Sequence, residues 1–448
     1  MGEHQLLLSN SQSFKVAFSQ ERPALNYSPD PNELERLIRQ LIESGQLDPK
    51  ALEGLSGLIE NPGLLSGMFA NLQNMFSASS GSVNWELAQS QGIQLAKSQE
   101  KPIANSLMLE IPKAFEMASL WLQEATGFSN SETPKQLTRS MWVQDAMPLF
   151  RELSDPIATS MARALSENLK DVLPEQFEGQ LGQAANFLGN AGATIFAMQL
   201  GQAAGRLATE AIMSSEVGIP LSTRAGFVPQ NLAALLEQVE GSRSELMIYL
   251  ATRELALTNL FAANPYLREQ IVLQVREFAA GLKIDTESIQ QIAEQVDLEN
   301  PDQVSHVIEM SSALMARTEE QELALARIET TLALIEGWAD SVTDFACRRL
   351  PEIESLSELY RRRRAVSSVS QKTFATLIGL ELTPKLVRET KAMWDYVAAN
   401  SGTELRDQLI SHPDQLPTLE EIQHPEALIN RTAASADFDK QLRDLLGE

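Results

Sequence analysis

The chain reads as mainly α, a multi-helical domain with few or no strands, and three observations lead there. Apolar residues recur at three- and four-residue spacing in run after run between Val83 and about Arg431, the period that lays one face of a helix on a core. X-Pro pairs stand where many of those runs begin: Thr133-Pro134, Asp155-Pro156, Asn264-Pro265, Asn300-Pro301 and Thr383-Pro384. Proline fits the first helical turn and pushes the residue before it out of helix. Sustained period-2 alternation is missing, and Glu216 to Leu221 is the best candidate for a short strand.

Residues 1–29 show no period and end in Tyr27-Ser28-Pro29-Asp30-Pro31, so they read as a mobile leader. Asp30-Pro31-Asn32-Glu33 then opens a helix, with Asp as N-cap, Pro at the first helical position and Glu at the third. Two short helices follow, from Asp48-Pro49 to about Ile59 and from Leu64 to Phe76. Ser77 to Ser82 is a Ser/Gly linker. This divides the chain into a leader (1–29), N-terminal helices and linker (30–82), a helical domain (83–431) and a C-terminal tail (432–448). In that tail Phe438, Leu442, Leu445 and Leu446 form a weak amphipathic stripe.

Within the main domain, Gly179 to Gly205 is uncharged and rich in small residues, which predicts closely packed helices. Tyr249 to Arg268 is by pattern an amphipathic helix with one central glutamate, Glu254. Thr318 to Leu350 is a long helical run, followed by Arg361-Arg362-Arg363-Arg364. Arg406 to Pro425 reads as an irregular strap with three prolines.

Composition narrows the function. The 448 residues suffice for a sizeable core, and the formal charge of −24 predicts a broadly acidic surface. Such a polyanion is repelled by nucleic acid and by anionic membrane. The arginine run is therefore expected to pair with acidic helices of its own chain. One cysteine, Cys347, excludes an intramolecular disulfide and reads as a small half-buried hydrophobe; with no signal-peptide pattern and no membrane span, a cytoplasmic protein is expected.

A search for chemistry yields little. The four histidines, His4, His306, His412 and His424, include no local pair, and His412 and His424 each precede Pro, where a turn or cap role is expected. A catalytic zinc needs about three protein ligands. Gly-x-Ser-x-Gly and phosphate-binding glycine loops do not occur, and the fourteen methionines read as core filler.

Several separated stretches, in one order, resemble a bacterial family of zinc-dependent metalloproteases or hydrolases of the zincin-2 type. They are Gly81 to Ala88 (GSVNWELA), Leu120 to Thr126 (LWLQEAT), Ser140 to Val143 (SMWV), Leu334 to Asp340 (LIEGWAD), the arginine run with Thr373 to Leu382, and Arg406-Asp407 with His412 to Thr418. The resemblance covers roughly residues 81–430 and implies a helical zincin-2-like domain. It also implies that the helix around Tyr249 to Phe261 corresponds to one carrying His-Glu-x-x-His. In that motif two histidines one turn apart hold Zn²⁺ and the glutamate acts on its water. Here Arg253 and Leu257 stand where the histidines would be, Glu254 corresponds to the general base, and Glu336 to a downstream acidic ligand. Arg carries no lone pair and Leu no donor atom.

The expectation is a metalloprotease-like protein without its zinc ligands, with no cofactor, Glu254 as the remnant of a base and Glu336 as the remnant of a ligand. It would bind another protein or peptide in the inherited cleft or play a structural role. The alternatives are a metal-dependent hydrolase with non-standard ligands, and a helical interaction module acting through its termini.

Overall fold

The computed structural model describes residues 83–172, 194, 196–239, 241–281, 318–366, 369–378 and 384–434, all within one compact unit, Ala78–Glu448. The helices expected over 30–76, the linker, the Asn300-Pro301 helix start, His4, His306 and the stripe from Phe438 to Leu446 lie outside the described residues.

The described residues are largely helical. Helix α1 (Trp85–Ser98) is capped by Asn84, whose side chain accepts from the Leu87 N–H, and α2 (Asn105–Leu122) follows. Strand β1 (Lys135–Gln136), α3 (Arg139–Val172), α4 (196–210) and β2 (Gly226–Phe227) come next. Then α5 (Pro229–Gln238) leads to the motif-bearing α6 (Arg243–Ala263) and to α7 (Tyr266–Ala280). The second half holds α8 (Glu319–Ala346), α9 (Ile353–Val366), α10 (Val369–Ile378), α11 (Pro384–Ile410) and α12 (Leu419–Gln423). Thr318 and Gln321 close a reciprocal capping box at the start of α8.

The sheet is minimal. Strands β1 and β2 pair in parallel, Lys135 opposite Gly226 and Gln136 opposite Phe227. The short strand expected over Glu216 to Leu221 is not there. That stretch turns instead, because the Glu216 carboxylate folds back to accept from the Ile212 and Met213 N–H groups and Gly218 takes φ +91°. Two X-Pro pairs also behave differently from expectation. Thr133-Pro134 leads into β1, and Asp155-Pro156 lies inside α3, as does Pro148. Each internal proline deprives the carbonyl four residues earlier of its donor. Those carbonyls belong to Gln144 and Glu152, which are exposed, so water can serve them. Asn264-Pro265 and Thr383-Pro384 do precede helices.

At the C-terminal end of the small-residue stretch packing is close, as expected; residues 179–193 and 195 lie outside the described residues. A side chain at Gly201 would strike the Ala88 carbonyl and Gln91 on α1, and one at Gly205 would strike Leu95. Three buried tryptophans anchor the core and each finds an acceptor: Trp142 donates to the Met213 carbonyl at 3.1 Å, Trp338 to Asp407 at 3.1 Å and Trp394 to the Leu334 carbonyl at 2.9 Å. Helix α8 lies along α11 and also against α6 and α7, while α6 packs on α2 as well. No helix among the described residues is long and apolar enough to cross a membrane.

Candidate functional site

Helix α6 is not the amphipathic helix its pattern predicts. Every residue from Tyr249 to Leu260 is buried, so the helix runs through the core rather than along its edge. Its polar residues must then find partners inside the protein.

Glu254 finds four. Its Oε1 accepts from the Ser214 hydroxyl and, at 2.8 Å, from the Gly226 N–H; its Oε2 accepts from the Ser215 hydroxyl and, at 3.0 Å, from the Ser215 N–H. The carboxylate thus ties α6 to the turn after α4 and to β2. Complete burial pushes its pKa up, and the donors from Ser214, Ser215 and Gly226 oppose that shift without cancelling it.

Arg253 turns toward α8. Its Nη2 donates to Glu336 Oε2 and its Nε to Asp340 Oδ1 at 3.0 Å, with the side chain 1% exposed. Arg364 of α9 reaches the same carboxylates from the other side, at 2.9 Å from Glu336 and 3.6 Å from Asp340. The Tyr360 ring is within reach of both guanidiniums, its centroid 4.9 Å from Arg253 and 5.8 Å from Arg364. Burial opposes the Arg253 charge, but Tyr360, Glu336 and Asp340 outweigh it and hold the guanidinium protonated, its pKa above the ordinary arginine value. The Tyr360 hydroxyl is pushed up to about 12, chiefly by burial.

One turn further along α8, Asp344 accepts from Tyr249 at 3.3 Å and Ser357 at 3.1 Å and pairs with Lys391 of α11 at 3.1 Å. Glu336, Asp340 and Asp344 stand at i, i+4 and i+8, so one face of α8 carries a file of carboxylates. Cations from α6, α9 and α11 converge on that file. Close approach of α11 depends on Gly337, where a Cβ would collide with Thr390 and the Lys391 backbone.

Beside this network opens a cleft of about 180 Å³ between α8, α9 and α11, with Glu336, Asp340, Arg361, Arg364, Arg388 and Lys391 in its wall. A second buried cluster braces the fold behind it. Asp407 accepts from Thr126 at 2.6 Å, the Gly127 N–H at 3.0 Å, Trp338, and its neighbour Arg406, joining the segment that follows α2 to α8 and α11.

Of the residues singled out in the sequence, Arg253 and Glu336 are brought into contact. Glu254 faces Ser214, Ser215 and Gly226 rather than the α8 carboxylates, and Leu257 is wholly buried in the apolar core. The arginine run pairs internally, as expected: Arg361 and Arg362 with Glu358, Arg363 with Glu216 and Arg364 with α8. His412 accepts from the Asp414 N–H at the start of a short 3₁₀ turn, and His424 ends α12. Cys347 is fully rather than half buried, and burial pushes its thiol up to about 12. Asp340, Asp344, Tyr360 and Arg364 were not singled out as site residues. The four-residue spacing of the acids on α8 is the signal that could have found two of them.

The chain belongs to the zincin-like metallopeptidase family, Zincin_2, whose model matches residues 83–429. Among solved structures it is similar to one described as "a putative hydrolase with a novel fold" from Chloroflexus aurantiacus. The two share 18% identity with a TM-score of 0.54, covering 78% of this chain and 99% of that one, a likeness of fold. No curated protein matches the chain.

Proposed function

We propose that this family member does not hydrolyse peptides through a zinc-bound water, and that it acts as a binding or structural protein through the cleft beside α8. The observation that carries the reading is the Arg253 guanidinium lying between Glu336 and Asp340. The position that a first metal-binding histidine would fill holds a permanent cation instead.

A catalytic zinc requires about three protein ligands with lone pairs to give and one open position. Position 253 offers a guanidinium, position 257 a buried leucine, and the Glu336 carboxylate is already shared by two arginines. These residues do not fit the metal. No group of three or more His, Cys, Asp or Glu among the described residues could hold a metal ion. Arg253 and Arg364 neutralise the carboxylates that a divalent cation would otherwise have to balance. Glu254, the counterpart of the general base, has both oxygens occupied by donors and serves to hold the turn from Ser214 to Gly226 on α6.

The test is a cleavage assay on casein and on a mixed set of quenched fluorescent peptides, with zinc supplied. The wild type is expected to release no product above a heat-inactivated control. Cleavage that a chelator abolishes would overturn the reading.

A further inference from the structure

We propose that the cleft between α8, α9 and α11 binds a terminal carboxylate, gripped by Arg361 and Arg388 with Arg364 behind them. The proposal rests on the reading of the cleft as a binding site and adds the chemistry of its ligand. In a chain of net charge −24, the wall of this cleft gathers Arg361, Arg362, Arg364, Arg388 and Lys391.

Its acidic groups are already committed. Glu336 and Asp340 are answered by Arg253 and Arg364. Glu358 is shared between Arg361 at 3.4 Å and Arg362 at 2.6 Å, so one carboxylate faces two guanidiniums, and Glu329 has a partner of its own. Arg388 makes no ion pair or hydrogen bond among the described residues. Arginines on α9 and α11 thus look into one cleft with donors to spare.

Apart from Gln371, the remaining wall, with Leu332, Ala333, Ala365 and Val387, is apolar and strengthens any charge interaction made against it. Two guanidinium forks on apolar ground suit the planar, bidentate oxygens of a carboxylate. At about 180 Å³ the space is below the roughly 300–1,000 Å³ of a drug-sized pocket, which fits a small acid or the end of a chain.

Fluorescence anisotropy and calorimetry at fixed ionic strength separate the sources. The probes are a labelled hexapeptide with a free C-terminus, the same peptide amidated, and glutarate. Binding of the free-acid peptide, roughly tenfold or more weaker for the amide and for Arg388→Gln or Arg361→Gln, supports the proposal with a peptide as source. Glutarate binding with the same arginine dependence, and no peptide binding, supports it with a small acid as source. Equal affinity for acid and amide, indifference to both substitutions in folded protein, or no binding of any probe overturns it. Equal binding of the amide would leave the cleft as a binding site and remove only the carboxylate. Cleavage of the recovered peptide, read by mass spectrometry, would instead sink the non-proteolytic reading.

Discussion

Replacing Arg253 by methionine tests directly the buried contact between α6 and α8. Methionine retains much of the apolar stem and removes the charge, so what is lost is the contact with α8. Arg253 makes one charge-assisted hydrogen bond to Glu336 and one to Asp340, both buried. At about 1.5–3 kcal/mol for each such bond, the pair amounts to about 3–6 kcal/mol. Arg364 stays within 2.9 Å of Glu336 and 3.6 Å of Asp340 and keeps part of the compensation, which favours the lower end. The expected loss is about 3–4 kcal/mol, in line with stranding one partner of a buried ion pair. Urea denaturation followed by circular dichroism measures it, with Arg253→Lys as a companion that keeps charge without the fork and should fall between. A loss below about 1 kcal/mol for Arg253→Met, the scale of an exposed pair, would refute the idea that this guanidinium holds α6 to α8.

Three further outcomes follow from the same geometry. The pKa of Glu254 is raised by burial, so its contribution to stability is present below the unfolded carboxylate value, about 4.3, and is lost as pH rises through the folded one. Comparing urea midpoints across acid to neutral pH, Glu254→Gln should gain on the wild type as pH rises; the opposite trend would contradict the shift. Gly201→Leu should destabilise by about 1–3 kcal/mol or more, because α1 leaves no room beside it, whereas Gly127→Ala, with nothing within 4 Å, should be near neutral in the same melt. Cys347, buried and with its thiol pushed up to about 12, should resist alkylation in the native protein and react on unfolding; rapid native labelling would contradict its placement.

The helical architecture was legible because local spacing and caps decide it, as the capping box at Thr318 and Gln321 illustrates. What sequence misjudged was tertiary. Pro156 looks like a helix start, but it lies inside α3, where the residue four positions earlier, Glu152, is on the exposed side of the helix. Glu216 to Leu221 has the alternation of a strand, but the Glu216 side chain takes the backbone donors of Ile212 and Met213. At the candidate site, Arg253 and Glu336 were legible through resemblance. Their direct contact was not, because it joins residues 83 positions apart. Arg364 was hidden inside a run of four arginines, and only packing separates the two that turn inward, Arg363 and Arg364, from Arg362 on the exposed side. Glu254 was legible as the one central glutamate of its helix, but its partners were not, because Ser214 and Ser215 lie about 40 positions away in sequence.

The claim on which the rest depends is that a guanidinium occupies the place of a metal ion. The direct measurement is the metal content of the full chain, purified with zinc in the growth medium, dialysed without chelator and assayed by inductively coupled plasma mass spectrometry. Zinc far below one equivalent per chain, unchanged in Glu336→Gln, is the predicted result. One equivalent of zinc that is lost on Glu336→Gln would contradict it.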